Sequence, residues 1–470
     1  MGKRITPLMR LTALLLVAAI ALTTVGCSGN GAEDEIIQPN TAVVDTTDAA
    51  AAEPEEPHAD DNTLTIATIS PYTQLPQIAA KFMRDNPGTN IEIIVYTEDN
   101  TLEGAQTLLA TQLMAGSGPV LMDGYLVDYN DPRTAIHLAD WFPVMFGDPD
   151  FDEGDWFMNI FHATSTNGRL YAIPTMFYYT MAAANSTIPG LHEAMPDRGG
   201  VTISELMELQ REIPTESPFY LSHGFNSNLY MELYTRNYVD LEDGRVDFNN
   251  QQFIDTINFI KEITDPEVDR DDLSPFTPDQ EPMYAERYFF HMPVSPILDY
   301  RYFFSQEQDL LFTDMVPLVN EENELVVTPV FSYLLNASAS PAAQSLAWDF
   351  FKFMMETDNQ EYAPILQPVK RELLRYAIEK TLPEYISENG LRTVGTVDEA
   401  VEEVVSALTA IGEMRMHNTR NLPYKVNQFG DIGVVPQAMQ LFQDGLVSAE
   451  QTALDLQNQV ELVLMEMGLW

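Results

Sequence analysis

Four bulky side chains in succession, Met176-Phe177-Tyr178-Tyr179, follow closely on Asn167-Gly168-Arg169-Leu170-Tyr171-Ala172-Ile173-Pro174. Flat aromatic faces pack against apolar ring faces, and phenolic edges form hydrogen bonds, so such a run can wall a ligand cleft. Ordinary core packing accounts for the same composition, and the stretch alone leaves both readings open. The elements that would position it are legible. Asn-Gly is a tight-turn dipeptide. Leu170–Ile173 reads as a short strand, and Pro174, which has no N–H to donate, ends that strand or sets it at an edge. In an extended segment Tyr178 and Tyr179 must point to opposite sides. One of them should face the packed interior and the other a ligand.

Covalent and metal chemistry find less support. The seven histidines are scattered, with no H-x-x-x-H or HExxH pair. Ala115 stands where a G-x-S-x-G motif around Ser117 needs glycine. Asp265–Asp272 is acid-rich but lacks the glycine and terminal glutamate of a calcium loop, and reads as a solvated turn. Gly116-x-Gly118 has no third glycine for a dinucleotide loop. The 71 acidic residues leave a glycosidase pair open without singling one out. The expectation is a chain with no catalytic residue, cofactor or metal.

At 470 residues the chain exceeds one compact core, so two lobes are expected. Its 71 acidic against 24 basic residues make a surface that repels nucleic acid and anionic headgroups. Cys27 is the sole cysteine, so the mature chain holds no internal disulfide and no further thiol. Residues 1–27 have a basic start (Lys3, Arg4, Arg10) and an apolar stretch, Leu11–Leu22, too short to span a bilayer comfortably. Thr24-Val25-Gly26-Cys27 resembles a bacterial lipoprotein signal, with Thr24 where leucine is usual. That resemblance implies acylation of Cys27. A plain secretory signal is the other reading. Residues 28–61, rich in Ala, Thr, Asp, Glu and Pro, bury too little apolar surface to fold and read as an acidic tether.

The globular part opens at Thr63 with a strand, a helix on Leu75, Ile78, Ala79, Phe82 and Met83, and a second strand, Ile91–Tyr96. A helix on Leu102, Ala105, Leu109 and Leu113 follows and stops at Gly116-Ser117-Gly118-Pro119. This alternation implies an α/β lobe with a largely parallel sheet. Thr202-x-x-Glu205, Thr396-x-x-Glu399 and Ser448-x-x-Gln451 are helix-start signals. Phe253, Ile257 and Ile260 mark a further helix, and so do Ala343, Leu346, Ala347, Phe350, Phe351 and Met354. The last third is mainly helical. Trp141, Trp156 and Trp348 read as core.

Several ordered pieces together resemble the extracellular solute-binding proteins of ABC importers, in the cluster that includes maltodextrin-binding proteins. They are Lys81-Phe82-x-x-Asp85-Asn86-Pro87, Met114-Ala115-Gly116-Ser117-Gly118-Pro119, Asn167–Pro174 with Asn185 beyond, Asp243-Gly244-x-x-Asp247-Phe248-Asn249, Asn336-Ala337-Ser338-x-x-Pro341 before Ala347–Phe353, and Gln367–Arg371. The resemblance spans residues 62–470. Two departures stand out: Val120 where the family has aspartate, with Asp123 the nearest carboxylate, and an aromatic run at 284–304 without the family's glycine.

The resemblance implies an α/β, two-lobed periplasmic-binding-protein-like fold of type II, each lobe a mixed sheet flanked by helices, with a helical C-terminal part. It places 62–175 and 288–333 in the first lobe, and 176–287 and 334–470 in the second. The chain then crosses near Tyr178, near Tyr284–His291 and near Tyr333–Ser338, and Tyr178, Tyr333 and Asn336 become hinge residues. It implies ligand contacts at Tyr72, Asp123, Tyr125, Tyr178, Phe225 and Tyr230. A sugar fits such a set, with aromatics for stacking and carboxylates or amides for hydroxyls. The expected partners are a carbohydrate or other small molecule, ABC permease subunits, and a membrane through the lipid anchor, for a monomer on the extracellular or periplasmic face. A surface glycan-active enzyme or adhesion module is the alternative.

Overall fold

In the computed structural model the described residues are 62–69, 74–97, 101–195, 199–213, 220–223, 238–241, 244–263, 288–291, 297, 312–360, 364, 366–389, 396–419, 422–426 and 433–469. The export segment, the tether, Cys27, Tyr72, Phe225 and Tyr230 lie outside them, as does most of the aromatic run at 284–304. Among the described residues no helix is long and apolar enough to cross a membrane.

Among the described residues the first sheet has seven strands. β1 (Thr63–Thr68) pairs in parallel with β2 (Asn90–Val95) and with β3 (Leu121–Asp123). Antiparallel pairs then carry the sheet from β3 through β11 (Leu325–Leu335) and β4 (Ala172–Tyr179) to β12 (Gln367–Pro368), while β13 (Met416–Asn418) runs parallel to β11. The described strands of the second sheet number four, in the order β10 (Phe312–Pro317), β5 (Met181–Asn185), β9 (Tyr288–His291) and β6 (Tyr220–His223). A two-stranded ribbon, β7 (Val239–Asp240) and β8 (Arg245–Val246), stands apart.

Pro174 does not end its strand. β4 continues through it to Tyr179, and Pro174 sits opposite Ser332 of β11. On the other side β4 meets only the two-residue β12, at Met176 and Phe177. The missing N–H therefore costs no ladder bond, which is the edge placement open to a proline.

The helices follow the sequence periodicity. α1 (Leu75–Asp85) buries Leu75, Ala79 and Phe82. α2 (Leu102–Met114), capped by the Thr101 hydroxyl, buries Ala105, Leu109 and Leu113. α3 (Trp141–Phe146) and α4 (Met158–Thr164) precede β4. α5 (Ile203–Glu212) and α9 (Val397–Gly412) both start with a full capping box, from Thr202 with Glu205 and from Thr396 with Glu399. α6 is Gln251–Ile263, α7 Pro341–Met354 and α8 Arg371–Asn389. α10 (Val434–Gln443) and α11 (Ala449–Glu466) close the chain.

Burial separates the lobes. One core joins β1, β4 and β11 to α7, α8 and α9, with Trp141, Trp156 and Trp348 all within it. A smaller core covers the other face of the first sheet through Leu109, Met122, Leu126 and Tyr129. The second sheet, α5, α6, α10 and α11 share another core around Phe248, Phe253, Phe290 and Leu456. Each fully buried Phe or Leu contributes on the order of 1.5–3 kcal/mol, so each lobe has its own reason to fold.

The assignment of segments differs from the expected boundaries. Tyr288–His291 and Phe312–Pro317 belong to the second sheet, although 288–333 was expected in the first lobe. Conversely α7, α8 and α9, expected in the second lobe, pack on the first core. The apolar stripes of these helices say that they are buried, and only complementary packing says against which sheet.

Candidate functional site

Among the described residues three connections lead from one sheet or core to the other and are bonded to one another. β4 gives way to β5 through Thr180 alone, β10 to β11 through Leu318–Glu324, and β13 leads past Thr419 into the second core. Leu318 N–H donates to Thr180 O at 2.9 Å, and Val326 N–H donates to Leu318 O at 3.3 Å. Thr419 N–H donates to Val327 O at 3.0 Å, while the Thr328 and Thr419 hydroxyls share a bond of 2.9 Å. Thr180, Thr328 and Thr419 are all buried. The Thr180 carbonyl and the Thr328 and Thr419 hydroxyls give the connecting strands lateral bonds without bulk, so short segments can change angle while staying joined. Such element-terminal residues are where a hinge absorbs rotation.

β1 and β3 run in parallel and end side by side, at Thr68 and Asp123. In open α/β sheets ligands lie beyond such carboxyl ends. Asp123 caps the turn Gly124–Leu126, its Oδ1 accepting the Tyr125 N–H at 3.0 Å. The Ile69 amide also donates to this carboxylate. Burial pushes the Asp123 carboxyl up to about 6, against the pull of these two amides. Tyr333 lies directly across the β3–β11 register from Asp123. Its phenol is raised above the usual range, first by burial and then by the Asp123 charge. Tyr125 is partly exposed, and Gln106 Nε2 holds its carbonyl at 2.8 Å.

Two residues before Tyr333, Phe331 breaks the pattern of β11. It is 45% exposed in a strand otherwise buried except for the half-buried Tyr333. Its φ is +51°, an outlier for a bulky side chain. Thr175 Oγ1 donates to the Phe331 carbonyl at 3.2 Å and helps hold this backbone. Strained backbone of this kind gathers at ligand clamps and switch regions.

No family model matches the chain, and no curated protein matches it. Solved structures do. The sugar-binding protein MalE of Xanthomonas citri is similar at a TM-score of 0.57 and 13% identity, over 86% of this chain and 98% of that one. An extracellular solute-binding protein of family 1 from Alicyclobacillus acidocaldarius gives 0.53 at 12% identity, over 86% and 98%. The fold is that of the ABC-importer solute-binding proteins. A solute-binding protein from Agrobacterium radiobacter K84, in complex with ribitol, gives 0.50 at 14% identity, over 85% and 98%.

Within this fold the expected site residues separate into groups. Asp123, Tyr125 and Tyr333 come together at the end of β3. Tyr178 is half-buried and sits opposite Thr328, five positions along β11 from the Asp123 partner Tyr333. At 3.3–3.4 Å per residue that is about 17 Å, so Tyr178 and Asp123 are not neighbours. Tyr179 points the other way, is 1% exposed, and donates to Gln367 Oε1 at 2.7 Å. The alternation expected of the Tyr178-Tyr179 pair is thus the observed one.

The hinge residues fall differently. Tyr178 lies two positions before the crossing at Thr180. Tyr333 and Asn336 are at the opposite end of β11 from its crossing, inside the first sheet. Asn336 has another task there: its Nδ2 donates to Ser117 O at 3.3 Å and Pro119 O at 3.2 Å, fastening the Gly-Ser-Gly-Pro turn. The described part of the crossing expected near Tyr284–His291 is a strand within the second sheet. Sequence reasoning missed Phe331 altogether. A phenylalanine inside an apolar run reads as core, and only its backbone angle and exposure set it apart.

Proposed function

We propose that this chain captures a small solute, a sugar or oligosaccharide, between its two lobes by hinge closure and presents it to an ABC importer. The observation that carries this reading is the bonded cluster of three crossings, Thr180, Leu318–Glu324 and Thr419, joining two separately cored sheets. Such a joint suits rotation of one lobe on the other. The side chains along β11 and its neighbours suit a sugar: Tyr125, Phe331 and Tyr178 offer aromatic faces, and Asp123 a carboxylate. Their spread along β11 suits an elongated ligand. The named sugar-binding and ribitol-bound neighbours support this reading through their shared fold.

We place the mature protein as a monomer on the outer face of the cell membrane, held by a lipid on Cys27. Cys27→Ser should release it into the medium; retention on membranes through a high-salt wash sinks the anchor. A thermal-shift screen over sugars, peptides and polyamines tests capture, because a ligand bound only by the folded state raises the melting temperature. Small-angle scattering with the hit at saturation should show a smaller radius of gyration. Labelled oligosaccharides should come back unchanged; cleavage would favour the glycan-active alternative.

A further inference from the structure

The turn that Asp123 caps is held from both lobes. Within the first lobe, Gln106 Nε2 grips the Tyr125 carbonyl at 2.8 Å, and Gly124 lies so close to β11 that an added Cβ would meet Ser332 at 3.1 Å. Another hold comes from beyond the crossing at Thr419. There Leu422 and Val426 are buried in the second core. Val434 and Val435, at the start of α10, donate their amides to the Lys425 and Val426 carbonyls at 3.0 and 3.1 Å. Tyr424, between Leu422 and Val426, turns back and packs against the smaller core on the first sheet. Its hydroxyl donates to Gly124 O at 2.5 Å, and its N–H donates to Asp128 Oδ2 at 2.9 Å. Asp128 Oδ1 accepts the Asn130 N–H at 3.2 Å, so one carboxyl group takes an amide from each lobe. Asn130 Nδ2 donates in return to Leu422 O at 3.3 Å, and the Tyr129 and Tyr424 rings meet edge to face. Leu422–Val426 is thus a strap, rooted in the second lobe and seated on the first.

We propose that Tyr424 is a positioning residue for the ligand wall: from the second lobe it fixes the Gly124–Leu126 turn on the first, and with that turn Asp123 and Tyr125. The phenol stands on a strap anchored in one core and ends on a backbone carbonyl of the other lobe. Hydrogen bonds survive only within a narrow range of length and angle, so a displaced second lobe either drags the turn or breaks the bond. Asp128 and Asn130 hold the backbone of the strap, which gives the phenol a fixed base. A second grip keeps the same stretch beside the second lobe: Arg133, paired with Asp131, reaches Glu466 O at the end of α11 at 3.4 Å. The shape of this half of the wall therefore depends on where the second lobe stands, which couples lobe movement to the site without a residue that touches ligand. The inference rests on the proposed function only for the role of Asp123 and Tyr125 as ligand groups.

Its test needs no ligand. Hydrogen exchange of the full-length chain reads the turn through the peptide spanning 121–127. Tyr424→Phe keeps the ring and removes the hydroxyl. Exchange in 121–127 should quicken about fivefold, as loss of one hydrogen bond predicts, while 63–68 in β1 and 341–354 in α7 stay as in the parent. Parent-like exchange in 121–127 overturns the inference. Equal quickening in all three regions overturns it too, since Tyr424 would then be an ordinary packing residue. Spin labels on Leu108→Cys in α2 and Leu454→Cys in α11, both partly exposed, in full-length chain carrying Cys27→Ser, report the distance between lobes. Tyr424→Ala should broaden the distribution of the labelled parent. Coincident distributions would show that the strap does not join the lobes. A failed ligand screen would count against capture and leave both results untouched.

Discussion

Tyr179 donates its phenolic hydrogen to Gln367 Oε1 across 2.7 Å in a place without solvent. Gln367 in turn donates through Nε2 to Leu408 O at 3.1 Å. The last residue of β4 before the crossing at Thr180 is thereby locked to β12 and to α9.

Neighbouring tyrosines should accordingly fail in different ways. Tyr179→Phe leaves Gln367 Oε1 buried and unsatisfied, which costs about 1–3 kcal/mol. The melting temperature without ligand should fall and ligand affinity change little. Tyr178→Ala should do the reverse, weakening binding by about 1–3 kcal/mol through loss of a stacking face. Titration calorimetry and unliganded melting of both variants decide the matter. A Tyr178→Ala protein that binds like the parent and only melts earlier would remove Tyr178 from the ligand wall.

The hydroxyl pair of Thr328 and Thr419 predicts a coupled response. Thr419→Val alone strips the Thr328 hydroxyl of its partner at a cost of about 1–2 kcal/mol. Thr328→Val with Thr419→Val removes both hydroxyls and keeps the shape, so the double variant should lose clearly less than the two single losses added. Denaturant unfolding of the four proteins gives the coupling. Simple additivity would mean that the bond contributes nothing to the joint.

Asp123 should give the fold a signature in acid. Its folded pKa of about 6 lies above the ordinary carboxylate value of 3.8. The folded protein therefore favours the neutral acid. Its contribution to stability is fully present below about pH 4 and is lost as pH rises through 6. The full span is worth up to about 3 kcal/mol. Asp123→Asn should flatten this part of the stability-against-pH curve relative to the parent. Parallel curves from pH 4 to 7 would show that Asp123 titrates normally.

Phe331 sets function against stability. Glycine adopts a positive φ at no steric cost, so Phe331→Gly relieves the backbone while removing an exposed ring. The melting temperature without ligand should not fall, whereas affinity should weaken by about 1–3 kcal/mol. A lower melting temperature with unchanged affinity would make Phe331 a packing residue.

The sequence by itself determined the local elements. Thr202 with Glu205 and Thr396 with Glu399 start helices because hydroxyl and carboxylate satisfy free backbone amides within four residues. Of the stripe Ala343, Leu346, Ala347, Phe350, Phe351 and Met354, all but the half-buried Leu346 are buried as the spacing required. Tyr178 and Tyr179 parted to opposite sides because a strand allows nothing else. The two-lobed fold was legible too, through the order of its motifs. What only the tertiary structure decided is which lobe each buried face joins, since an apolar stripe carries no address. α7 to α9 lie on the first sheet and β9 and β10 in the second for that reason. The bonded crossings were hidden in the same way. Thr180, Thr328 and Thr419 are unremarkable in sequence, and they become a joint only when strands far apart along the chain are laid side by side.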